Sequence, residues 1–253
     1  MSLNMFSLKG KTALVTGANT GLGQGICVAY AEAGANVIGV ARRSCQETAD
    51  KIAAVSGNFT EIIADLSDVS VIPYIVEEAY KAHERVDIVV NNAGIIKRCD
   101  AIEVTMEDWD SVININEKMV FFLSQAFAKR WHEDGKGGKI INIASMLSYQ
   151  GGIRVPAYAA SKSAVMGITK ALANEWASHN ININAIAPGY MATNNTANLR
   201  SDGQRSEEIL SRIPAGRWGT PDDIMGAAIF LASDASAYVN GFTIAVDGGW
   251  LAR

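Results

Sequence analysis

Short apolar stretches recur along this chain, each closed by glycine, asparagine or proline. Between them lie longer segments whose apolar residues fall three and four apart. The short stretches predict strands over Thr12–Thr16, 36–40, 59–63, 86–90, 139–143, 180–186 and 242–246. The spacing between them predicts helices over 22–33, 45–55, 69–82, 106–129, 157–177 and 221–232, the last with Pro221 suited to a first helical turn. Strand–helix alternation predicts an α/β protein, a doubly wound parallel sheet of seven strands with helices on both faces. No linker-like composition break divides the 253 residues, so one domain is expected over 1–253.

In such sheets, ligands sit beyond the carboxyl ends of the strands. Gly17, Asn91, Ala144, Ser145 and Pro188 all fall just past predicted strand ends, so they converge on one edge. The first strand is followed by Gly17-Ala18-Asn19-Thr20-Gly21-Leu22-Gly23 and then a helix. Glycines in that position let the backbone approach a pyrophosphate, which the helix N-terminus favours electrostatically. The spacing is G-x-x-x-G-x-G, not the commoner G-x-G-x-x-G. Further on, Tyr158 and Lys162 stand four apart in a helical run, which makes them neighbours on one face. A phenol beside an ammonium ionises more readily, so the pair suits acid–base work on an alcohol or carbonyl. Alone, such a pair is ordinary on a helix surface.

Taken together, Thr16-Gly17-x-x-x-Gly21-x-Gly23, Asn91-Asn92-Ala93-Gly94, Asn116, Ser145, Tyr158-x-x-x-Lys162 and Pro188-Gly189 with Thr193 resemble the short-chain dehydrogenase/reductase family. The resemblance runs from about Leu8 to the C-terminus and implies a single Rossmann-type domain. It implies that Tyr158 is the general acid/base and that Ser145 positions the substrate oxygen, with Ser148 as the rival serine. Lys162 would lower the pKa of Tyr158 and bind the nicotinamide ribose. Asn116 would hold a water near Lys162, with Asn114 as its competitor. The dinucleotide, NAD(H) or NADP(H), would be held by Gly17, Asn19, Thr20, Gly21, Leu22 and Gly23. Asp65 and Leu66 would meet the adenine, and Asn92, Ala93 and Gly94 would close over the cofactor. Tyr158, Lys162, Pro188, Gly189, Met191 and Thr193 would surround the nicotinamide end. At the end of the second strand, where NAD-preferring members carry an acid, this chain has Ala41, Arg42 and Arg43. A guanidinium there suits a 2′-phosphate. The closer resemblance within the family leans toward NAD(H), so the choice stays open.

Loops that follow the motif strands resemble those of the sugar-acid branch of the family, including enzymes of pectin and hexuronate breakdown. Arg98, Gln150 and Arg154, with Ser145, are the candidate contacts for a substrate carboxylate and its hydroxyls; arginine pairs bidentately with carboxylates. Rival readings are oxidation of gluconate, reduction of a 3-oxoacyl thioester on a carrier protein, and non-catalytic dinucleotide sensing.

Composition narrows the classes. A net charge of −4 argues against a nucleic-acid binder. Three scattered cysteines, Cys27, Cys45 and Cys99, fit neither a disulfide framework nor a metal spacing, and the three histidines form no zinc motif, so no metal is expected. They suit free thiols in a reducing cytoplasm. No signal peptide and no membrane span of ~18 apolar residues is expected. The helices over 106–129 and 157–177 are apolar on more than one stripe, which predicts a homo-oligomer. The family resemblance implies a tetramer.

Overall fold

Thr12–Thr16 forms β1, buried along its whole length because both sheet faces are covered. Ala13 and Val15 point into one apolar layer, Leu14 into the other, as strand alternation requires. The computed structural model describes residues 3–253; Met1 and Ser2, the first positions of the expected domain, lie outside them. The remaining strands are β2 (Asn36–Ala41), β3 (Asn58–Ile63), β4 (Ile88–Asn91), β5 (Gly138–Ile143), β6 (Ile181–Pro188) and β7 (Thr243–Val246). All seven join one sheet in the order β3-β2-β1-β4-β5-β6-β7, and every pairing is parallel. The expected architecture is therefore the observed one.

One layer packs α1 (Gly21–Glu32) against α9 (Asp222–Ala232), with α2 (Gln46–Ala54) beside them. The other holds α3 (Ile72–Ala82), α5 (Met119–Asp134) and α6 (Pro156–Trp176) around Leu123, Phe127 and Trp131. The chain order reverses between β1 and β4, so the crevice at their carboxyl ends is the switch point for a ligand.

Three departures from the expected pattern stand out. Strand β4 starts at Ile88, two residues late; Asp87 before it still bonds Thr12 and Lys139 through its backbone, and its carboxylate accepts the Thr12 N–H at 2.9 Å and the side chain of Arg85. The run 106–129 is not one α-helix. It begins as α4 (Met106–Ile113), capped by the Thr105 hydroxyl, which accepts from the Asp108 N–H. It then widens into a π turn, Asn114–Lys118, before α5 continues to Gly135 in the left-handed conformation. Finally, two short helices, α7 (Ala197–Ser201) and α8 (Gly203–Leu210), stand where no helix was expected. They bury little besides Ile209, so they carry no apolar stripe to betray them.

Candidate active site

The switch-point crevice is a cleft of about 430 Å³. Its floor is the turn after β1. Gly17 adopts φ 67°, and a Cβ there would press to 2.9 Å from the Asn92 side chain. Gly23 does not line the cleft; it packs behind the turn, where a Cβ would collide with the Gly17 carbonyl. Asn92 donates to the carbonyls of Thr16 and Gly17, and the Thr16 hydroxyl accepts the N–H groups of Asn92 and Ala93. The loops after β1 and β4 thus brace each other. Asn19, Thr20, Gly21 and Leu22 complete this wall, and Ala93 and Gly94 face it. The cradle fits a dinucleotide: a bare backbone turn opens on the start of a twelve-residue helix.

At one end of the cleft stand Arg42, Arg43, Asp65 and Leu66. Asp65 accepts the Ser67 N–H at 3.0 Å. That bond, with the positive charge of Arg42 adding to it, holds its carboxyl below the usual carboxylate range. Asp65 is therefore both a turn-forming residue and part of the cleft wall.

At the other end stand Ser145, Tyr158 and Lys162, with Pro188, Gly189, Met191 and Thr193 opposite. Pro156 in the first turn of α6 presents Tyr158 and Lys162 on its inner face. Tyr158 keeps part of its surface open to the cleft, yet desolvation pushes its phenol above the ordinary value. The Ser145 hydroxyl, hydrogen-bonded to it, and the Arg98 charge pull it back. The expected agent, Lys162, is not among those causes. Its Nζ lies 5.8 Å from the Tyr158 ring centroid and donates to the Ile143 carbonyl at 2.6 Å. Burial drives that ammonium down to about 8. Among the described residues Ile143 is its one hydrogen-bond acceptor, so two N–H donors remain on a side chain that lines the cleft.

Asn116, on the π turn, is fully buried. Its Oδ1 accepts from Ile95 N–H, and its Nδ2 donates to the Ile95 carbonyl and to the Ser161 hydroxyl. It therefore fixes the loop after β4 to α6. A Cβ on Gly94 would lie 3.1 Å from its Oδ1 and 3.7 Å from Lys162 Nζ, so Gly94 has both side chains as neighbours. Asn114 is only partly buried and makes no such bonds.

The substrate candidates divide. Arg98 is exposed and does not itself line the cleft, but it donates to the carbonyl of the lining residue Asn195 at 3.1 Å, and its charge reaches Tyr158. Arg154 instead forms an exposed ion pair with Asp100 at 2.9 Å, and neither it nor Gln150 lines the cleft. The sequence reading missed Asn194, Asn195 and Thr196, which continue the wall beyond Thr193. The signal available was the Thr193-x-x-Thr196 spacing, which forms a reciprocal cap. Among the described residues no cluster of three or more metal-ligating side chains exists, and no helix is long and apolar enough to cross a membrane.

A glycine-floored cleft at the switch point, joined to a serine, a tyrosine and a lysine, defines a dinucleotide-dependent oxidoreductase. A family model described as enoyl-(acyl carrier protein) reductase matches residues 17–251. A 2-dehydro-3-deoxy-D-gluconate 5-dehydrogenase of Dickeya dadantii (strain 3937) is 63% identical over 253 residues, all of both chains. One of the same description from Escherichia coli (strain K12) is 60% identical, again over all of both. A crystal structure from Agrobacterium tumefaciens, described as a candidate 2-deoxy-D-gluconate 3-dehydrogenase with bound NADP, has a TM-score of 0.94 at 55% identity. It covers 99% of this chain and 100% of its own. The chain belongs to the short-chain dehydrogenase/reductase family.

Proposed function

We propose that this protein is an NAD(P)-dependent dehydrogenase that interconverts a secondary alcohol and a ketone on a sugar acid, with 2-dehydro-3-deoxy-D-gluconate oxidised at carbon 5. The observation that carries the reaction class is the meeting of Ser145, Tyr158 and Lys162 with the glycine turn in one cleft. Full-length identity of 63% to a protein of that description narrows the substrate.

The dinucleotide, when bound, supplies the carbon that accepts the hydride in oxidation and returns it in reduction. Everything else falls to side chains of this chain. Tyr158 takes the substrate hydroxyl proton in oxidation and gives it back in reduction. Ser145 holds the reacting oxygen beside the phenol. Lys162 offers its two remaining N–H groups to ribose hydroxyls and keeps positive charge near the forming phenolate. Asn116 keeps the loop after β4 against α6. Gly17, Asn19, Thr20, Gly21 and Leu22 would hold the pyrophosphate, with Gly23 supporting the turn. Asp65 and Leu66 would meet the adenine, and Asn92, Ala93 and Gly94 would flank the cofactor. Pro188, Gly189, Met191 and Thr193 would border the nicotinamide. Arg42 and Arg43 occupy the place where an acid would be needed for a free ribose 2′-hydroxyl, which favours the phosphorylated dinucleotide. Arg98 is the candidate partner for the substrate carboxylate, since it is the arginine whose charge reaches the Tyr158 end of the cleft.

Two separate apolar faces support a homotetramer, which needs two self-complementary interfaces. One is the groove between α3 and α5, with Ile72, Phe122 and Ala126 on its walls. The other is the region before β7, where Tyr238 and Phe242 stand exposed. Free thiols at Cys27, Cys45 and Cys99 suit a reducing cytoplasm.

The test is a panel of 2-dehydro-3-deoxy-D-gluconate, gluconate and a 3-oxoacyl thioester, each with either dinucleotide, followed by nicotinamide absorbance. Turnover should be fastest with the first. Preference for the thioester would replace the sugar-acid reading.

A further inference from the structure

The turn that carries Ser145 contains a second hydroxyl with an unusual pair of partners. Ser145 opens the short helix Met146–Ser148, and its Oγ accepts the Leu147 N–H at 3.1 Å. Ser148 closes that turn. Its Oγ accepts the backbone N–H of Ser145 at 3.2 Å and donates to the carbonyl of Lys162 at 2.6 Å. One hydroxyl thus joins the residue beside the reacting oxygen to the residue on α6 whose ammonium borders the cleft.

A hydroxyl has a single hydrogen. Ser148 gives it to Lys162, so it has none to offer a substrate, and it does not line the cleft. Two hydrogen bonds run from Ser145 to Ser148 and from Ser148 to Lys162, which stands one helical turn along α6 from Tyr158, the phenol that the Ser145 hydroxyl acts on. Along this path the Ser145 N–H has Ser148 as its partner, because the parallel ladder with β6 ends at Ala144, whose N–H meets the Ile186 carbonyl. The turn also packs against α6, and the Ser148 hydroxyl adds a hydrogen bond from it to the α6 backbone.

We propose that Ser148 is a positioning residue for the reaction: it locks the Ser145 turn to α6 so that the Ser145 hydroxyl and the Tyr158 phenol meet the same substrate oxygen. This rests on the dehydrogenase reading above and adds to it a residue that never touches substrate. Displacement of a reacting group by about 1 Å can cost on the order of a hundredfold in rate. Loss of one cross-link that still leaves the rest of α6 in place should cost roughly ten- to a hundredfold.

The experiment compares wild type, Ser148→Ala, Ser148→Thr, Ser145→Ala and the Ser145→Ala/Ser148→Ala double variant, using the acid substrate that wild type turns over best. Ser148→Ala should lower kcat by about ten- to a hundredfold while leaving dinucleotide KM close to wild type. Ser148→Thr keeps the hydroxyl and should recover most of the rate. In the Ser145→Ala background, Ser148→Ala should add little further loss, since the group it positions is gone. The alkaline inflection of the oxidation rate should move upward in Ser148→Ala, toward its position in Ser145→Ala, because Tyr158 then loses the same hydrogen bond. An active wild type whose two serine losses multiply, or a Ser148→Ala enzyme that melts lower but turns over normally, overturns the inference alone. A wild type with no dinucleotide-linked turnover on any acid overturns the dehydrogenase reading, and this inference with it.

Discussion

Lys162 carries the site's least comfortable charge. Its ammonium is buried with one hydrogen-bond acceptor, the Ile143 carbonyl, and burial lowers it from 10.5 to about 8. The sign of its effect on stability follows from proton counts. Below pH 8 folded and unfolded chains both hold this proton, and the cost of burying the charge is full. Between about 8 and 10 the folded chain releases it while the unfolded chain keeps it, so stability from this group rises with pH. In Lys162→Met this dependence is absent. Denaturant unfolding of the cofactor-free proteins at pH 7 and pH 10 should therefore shift the stability difference toward wild type at the higher pH by about 2 kcal/mol. A difference that stays constant would show that Lys162 titrates normally. The spacing of Tyr158 and Lys162, and the serine ahead of them, were plain in the sequence. What the lysine touches was not, because its acceptor belongs to β5, remote in sequence and brought near only by the sheet. For the same reason Ser148 read as a mere rival to Ser145: its tie to Lys162 exists only once α6 rests on that turn.

At the scale of elements, glycine and proline marked most boundaries. All seven strands were legible as short apolar runs: the central ones are buried on both faces, while the outer β3 and β7 are only partly buried. Helices α7 and α8 were not legible, having little apolar surface to bury, and the π turn was not, because a run apolar on more than one stripe hides the phase shift of one extra residue. Yet that turn is what aims Asn116 at Ile95 and Ser161, in keeping with the frequent use of such turns at functional sites. In the proposed reading, the end of β2 sets cofactor choice through Arg42. Its charge already acts on Asp65 across the adenosine end of the cleft. Arg42→Ala should weaken NADP(H) by roughly ten- to a hundredfold, the worth of a charge-assisted hydrogen bond, and NAD(H) far less. Equal loss for both in a fluorescence titration would remove Arg42 from contact with the 2′-phosphate.

For the whole molecule, doubly wound topology could be argued from alternation alone, and it fixed which edge holds the ligand. The proposed assembly rests on the extra apolar stripes of 106–129 and 157–177 in the sequence, and the exposed Tyr238 and Phe242 before β7 add a second candidate face. Light scattering at micromolar concentration should give a tetramer mass. Phe242→Glu should leave a dimer, and a monomeric wild type would contradict the assembly. The central claim is narrower: Tyr158 carries the proton in a dehydrogenase reaction on a sugar acid. It is tested most directly by Tyr158→Phe, assayed for turnover of 2-dehydro-3-deoxy-D-gluconate and, separately, for dinucleotide binding. In the proposed reading the glycine turn holds the pyrophosphate without the phenol, so binding should stay close to wild type. Turnover should fall by about a hundredfold or more, the usual contribution of a general acid–base group. A variant that binds the dinucleotide and keeps more than about a tenth of the wild-type rate would contradict the account.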